Sequence, residues 1–68
     1  MTKYIYNNID AEPNLEYIHE QVALSSMVNK NIQYCRWDED VEQLQVLFDV
    51  DLVEADKAIL DTIVEGSY

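Results

Sequence analysis

The stretch VEQLQVLFDVDLVEADKAILDTIVE, residues 41–65, decides the fold. Its first ten residues alternate. Leu44, Val46, Phe48 and Val50 fall on one side of an extended chain, with Gln45, Leu47 and Asp49 on the other. That period of two is the signature of a strand with one buried face. From Leu52 the period lengthens. Leu52, Ala55, Ile59 and Ile63 recur at helical spacing, and Val53, Leu60 and Val64 widen the stripe. Asp56, Lys57, Asp61 and Glu65 take the remaining faces. Asp51 stands where a cap is wanted, with Glu54 three residues on, the pattern of a capping box. Gly66 is placed to end the helix. The stretch therefore predicts a strand over 41–50 and a helix over 52–65.

Upstream, NIQYCRW at 31–37 reads as a second strand. Ile32, Tyr34 and Arg36 share one face and Gln33, Cys35 and Trp37 the other, and alternation alone does not choose between them. The acidic run Asp38-Glu39-Asp40 is a polar turn, so residues 31–50 predict an antiparallel hairpin. Further back, Leu15, Ile18 and Val22 mark the buried stripe of a helix over 11–24. Asp10 is its expected cap, and Pro13 is tolerated in a first turn. Residues 3–9, KYIYNNI, predict a short strand with Tyr4 and Tyr6 on one face and Ile5 on the other. The expected fold is α+β: one small domain over 1–68, with two helices packed on an antiparallel sheet. The first strand, as an edge, has the option of reaching a neighbouring chain.

Composition narrows the function classes. Sixty-eight residues bury only about 60% of the unfolded surface, so stability is marginal without a staple. The single cysteine, Cys35, rules out an internal disulfide, and with only His19 beside it no structural zinc set exists. Association with other chains is the staple that remains. The formal charge is −10. It is uneven: residues 1–37 hold four acids and three bases, residues 38–68 ten acids and one base. Such a field repels phosphates, so direct nucleic-acid binding is not expected. No run approaches the length of a membrane span and the first residues lack a leader's apolar core, so we expect a chain made in a cytoplasm with Cys35 reduced.

Catalytic signatures do not emerge. One glycine cannot build a phosphate loop, and no CxxC, HExxH or GxSxG is present. Cys35 and His19 are a nucleophile pair by type only, since nothing in the sequence positions them. The Asp38–Asp40 run lacks the length and glycine of a calcium loop. We therefore expect no enzyme, no cofactor and no metal. The aromatics are more informative, because Tyr and Trp supply contact area at interfaces at low entropic cost. Tyr4, Tyr6 and Trp37 are the first interface candidates, with Tyr68 as a plug into a neighbour.

The C-terminal stretch from Leu44 to Tyr68 resembles a module of short tailed-phage structural proteins, in which a strand ending in Phe-Asp meets an acidic helix. The residues that carry the likeness are Phe48, Asp49, Leu52, Asp56, Lys57, Leu60, Asp61, Ile63 and Val64. LEYIHEQVALSS, from Leu15, matches the preceding helix loosely. The resemblance implies a virion component made in the host cytoplasm: a capsid-decorating, neck or tail-associated protein whose partners are protein subunits. If the first strand pairs between chains, a homo-oligomer is among the expected assemblies. It transfers no ligand or catalytic residue. The alternative from charge alone is an acidic inhibitor that occupies a basic groove on a host protein, nucleic-acid mimicry included.

Overall fold

A computed structural model describes residues 1–27 and 29–68. The elements follow the expected order: β1 (Thr2–Tyr6), α1 (Leu15–Ala23), β2 (Ile32–Asp38), β3 (Gln43–Phe48) and α2 (Glu54–Glu65). The three strands form one antiparallel sheet in the order β1-β3-β2. The fold is thus α+β, with β3 central and hydrogen-bonded on both sides. In this chain β1 pairs with β3, Tyr4 opposite Val46 and Tyr6 opposite Leu44.

The alternation of β3 sets the core. Leu44, Val46 and Phe48 are completely buried. Ile18 and Val22 of α1 and Leu60, Ile63 and Val64 of α2 close over them. Val50 departs from expectation and is 43% exposed, because β3 ends at Phe48 and the alternation ends with it. Two core residues escape the periodic reading. Ile9 follows Asn8, whose φ of 60° turns the chain inward. Met27 follows the serine turn that ends α1 and is fully buried.

The undecided faces of β2 have a physical explanation. A bulge interrupts the register between Ile32 and Tyr34: Ile32 opposes Phe48 and Tyr34 opposes Leu47. One extra residue, Gln33, flips the alternation. Ile32 packs inward before the bulge, and Cys35 and Trp37 pack inward after it. Each of the two candidate faces is therefore buried over part of the strand.

Both helix starts need correction. α1 begins at Leu15, not near Ala11, and its cap is Asn14, whose Oδ1 accepts the Tyr17 N–H at 3.0 Å. Pro13 disfavours helical geometry at Glu12, so the helix begins only after the proline. α2 begins at Glu54, and Val53 occupies the cap position without a side-chain bond. The Asp51–Glu54 capping box does not form. Leu52 is instead held by the Tyr4 hydroxyl, which accepts its N–H at 2.7 Å. That tether and the inward packing of Leu52 keep residues 51–53 out of the first turn.

The buried seam of α2 is rotated from the predicted one. Ala55 is exposed, whereas Asp56 is only 8% exposed. A carboxylate is tolerated there because the Ser26 hydroxyl, just beyond α1, donates to it at 2.7 Å. α2 ends at Gly66 with φ −79°, an ordinary helical value. Space there is tight: a Cβ at 66 would lie 3.0 Å from Tyr17 Oη. Ser67 then turns inward, and its carbonyl accepts the Asn14 N–H at 2.7 Å.

Candidate interaction surface

The two helices cover one face of the sheet, and the strands' alternation dictates what the other face carries. On β1 the outward residues are Lys3 and Ile5, on β3 Gln45 and Leu47, and on β2 Tyr34 and Arg36. The register places them in two rows: Lys3, Leu47 and Tyr34, then Ile5, Gln45 and Arg36. Ile5 is 50% exposed. The Arg36 guanidinium lies over the Tyr34 ring, 5.3 Å from its centroid, which leaves cation and ring on the same surface. A third row, Gln43 and Asp38, closes the face with polar bonds. Gln43 Nε2 donates to Asn7 Oδ1 at 2.9 Å, and Gln45 Nε2 donates to Gln43 Oε1 at 2.6 Å.

The four aromatic candidates are dispersed. Tyr4 and Tyr6 face the helices. Tyr4 meets Phe48 edge-on at 5.9 Å and holds Leu52 as described. Tyr6 donates to Asp61 at 2.7 Å. Lys57 pairs with the same carboxylate and lies over both rings, 5.8 Å from Tyr4 and 5.2 Å from Tyr6. These tyrosines clasp α2 to β1. Burial, then the Asp61 bond, pushes the Tyr6 hydroxyl far above its ordinary pKa. For Asp61, burial works upward, but hydrogen bonds from Lys57 and Tyr6 outweigh it and hold the carboxyl below its usual value.

Trp37 is half-buried and borders an open groove with Glu12, Pro13, Asn14 and Leu15. Its indole Nε1 is buried with no acceptor among the described residues. Tyr68 is 53% exposed and lines a separate depression with Ile5, Ile9 and Val64. Cys35 packs against the core from β2, and burial raises its thiol pKa to about 11. His19 is exposed on α1, in a depression with Val22, Lys30 and Ile32 that does not include Cys35. Among the described residues no three His, Cys, Asp or Glu side chains are grouped to hold a metal. No described helix is long and apolar enough to cross a membrane.

Sequence reasoning missed the outward sheet face as a unit. The signal was present in the alternation that puts Ile5 opposite in sense to Tyr4 and Tyr6, and Leu47 opposite to Val46 and Phe48. What the sequence lacks is the strand order, and only β1-β3-β2 sets Leu47 beside Tyr34, with Ile5 diagonal to Leu47 on the other edge strand. No family model, curated protein or solved structure matches this chain.

Proposed function

We propose that the chain is a non-enzymatic accessory subunit of a tailed-phage particle, placed on capsid, neck or tail and acting by packing against other subunits. The observation that carries the packing role is the open sheet face, where Leu47 stands between Tyr34 beside it and Ile5 on its diagonal, and over which no described helix lies. A three-stranded sheet with one open face that mixes apolar and polar side chains, and with edge strands β1 and β2, suits a partner that completes it. The phage assignment rests on the residues of the C-terminal stretch quoted above.

The acidic-inhibitor alternative draws less support. A phosphate mimic needs its carboxylates free on one surface. Here Asp56 is taken by Ser26, Asp61 by Tyr6 and Lys57, and Asp49 by Asn31. Of the others, Asp38, Glu39, Asp40 and Glu42 lie at the hairpin tip, Asp51 and Glu54 at the opposite end of β3, and Glu65 at the end of α2.

Particle composition tests the proposal. Purified virions from cells that make this chain should contain it at a fixed ratio to the major capsid or tail protein by quantitative mass spectrometry. Its absence from washed particles, with the protein abundant in the lysate, would sink the reading.

A further inference from the structure

The open face is also the place where this acidic molecule presents cations without interleaved acids. Lys3 and Arg36 stand at diagonal corners around Ile5, Leu47, Tyr34 and Gln45. From strand spacing and rise their Cα atoms are about 12 Å apart. Asp38 and Asp49 lie at its two ends, and Asp61 and Glu65 border Ile5 beyond the β1 edge. Asp38 accepts the Asp40 N–H at 3.1 Å, and Asp49 accepts both N–H groups offered by Asn31 at 3.3 Å.

The solvent side of α2 has the complementary layout. Glu54, Ala58 and Glu65 fall on one exposed line, with Thr62 beside it. The two carboxylates sit about 16 Å apart along the axis, with Ala58 between them and Asp61, clasped by Tyr6 and Lys57, on the flank towards β1. The reach of Lys and Arg side chains bridges the difference in spacing.

We propose that the outward sheet face of one molecule receives the outer side of α2 from a second copy. Ala58 then sits over Leu47 and Gln45 at the centre of the face, and Glu54 and Glu65 pair with Lys3 and Arg36. Sheet face and helix are different surfaces, so the contact is head-to-tail and propagates into rings or stacks rather than stopping at a dimer. Two copies of a −10 chain repel at distance. At physiological salt that repulsion is screened beyond about 8 Å, whereas the juxtaposed pairs are not. The patch is small, so a single contact is weak and gains from repetition. The inference rests on the packing role proposed above and names its first partner.

Sedimentation equilibrium of the purified chain tests it separately from particle composition. The average mass should rise with concentration from the micromolar to the millimolar range at physiological salt, where the net repulsion is screened, and fall back towards monomer in molar salt, where the ion pairs are screened as well. The double charge reversals K3E/R36E and E54K/E65K should each weaken association at least tenfold while keeping a cooperative melt, since all four positions are at the surface. Mixed together, they should associate again, because each then offers the charge the other lacks. Monomer at every concentration, reversals without effect, or a mixture that stays monomeric would each overturn the contact. A chain that fails here yet is found in virions would keep the packing role and lose this partner.

Discussion

The hydroxyl of Tyr6, in the first strand, donates to the carboxylate of Asp61, in the last helix, at 2.7 Å. Lys57 approaches the same carboxylate from one helical turn away. One acid therefore joins the two ends of the fold, and its ionisation couples to stability. Its folded pKa is depressed, so its contribution is fully present above the unfolded carboxylate value of about 4 and is lost as pH falls through the folded value. Asp61→Asn should flatten this acid limb in urea titrations. Tyr6→Phe should cost about 1 kcal/mol at neutral pH, at the low end for a bond to a charged group because Asp61 is half open to water. Equal acid limbs in wild type and Asp61→Asn would remove the clasp from the account.

The corrected caps separate two substitutions that look alike in sequence. Asn14→Ala removes the acceptor for the Tyr17 N–H and should cost about 1 kcal/mol. Asp51→Ala removes an exposed side chain that caps nothing and should stay within about 0.5 kcal/mol of wild type. Thermal melts of both, measured side by side, check the assignment; a larger loss from Asp51→Ala would restore the capping box.

Gly66 and Tyr17 should be coupled. An alanine at 66 suits the backbone, but its Cβ would press on Tyr17 Oη at 3.0 Å, while Tyr17 Cε1 at 3.5 Å is an ordinary contact. Gly66→Ala should therefore destabilise the wild type and become neutral or stabilising in a Tyr17→Phe background. A double-mutant cycle measures the difference, expected at about 0.5–1 kcal/mol. Strict additivity would mean that the hydroxyl swings aside freely.

Cys35 should be a slow thiol. Half-buried in β2 and with a pKa near 11, it carries little thiolate at neutral pH. Disulfide reagents at pH 8 should modify it many times more slowly than a free cysteine, with full speed restored in denaturant. Fast labelling of the folded chain would show that β2 opens at its edge.

Fold class and element order were legible because β3 and α2 carry strong, contrasting periods. What stayed hidden depends on contacts distant in sequence. Gln33 carries no local mark of a bulge; the shift appears only when β2 is laid against β3. Asp56 reads as a surface acid until Ser26 is seen beside it. Asp51 matches a cap by composition, yet the tether of Leu52 to Tyr4 delays the helix past it. At the candidate surface, Tyr4 and Tyr6 read as exposed because they lie in a terminal strand with no visible anchor; pairing of β1 with β3 turns both towards the helices and leaves Ile5, Tyr34 and Leu47 on the open face.

The bond from Asn14 N–H to the Ser67 carbonyl carries a kinetic consequence. α1 has nine residues, below the roughly 12–15 that an isolated helix needs in water. Its start leans on the far end of the chain, and β1 leans on β3. Early-synthesised residues thus have no local partner to hold them. Folding of so small a chain becomes a long-range event, slow for its length. In pulse-labelled hydrogen exchange, amide protection over residues 2–23 should arise together with that of β3 and α2. Emerging stepwise from a ribosome, that segment waits unstructured until the second half arrives to receive it.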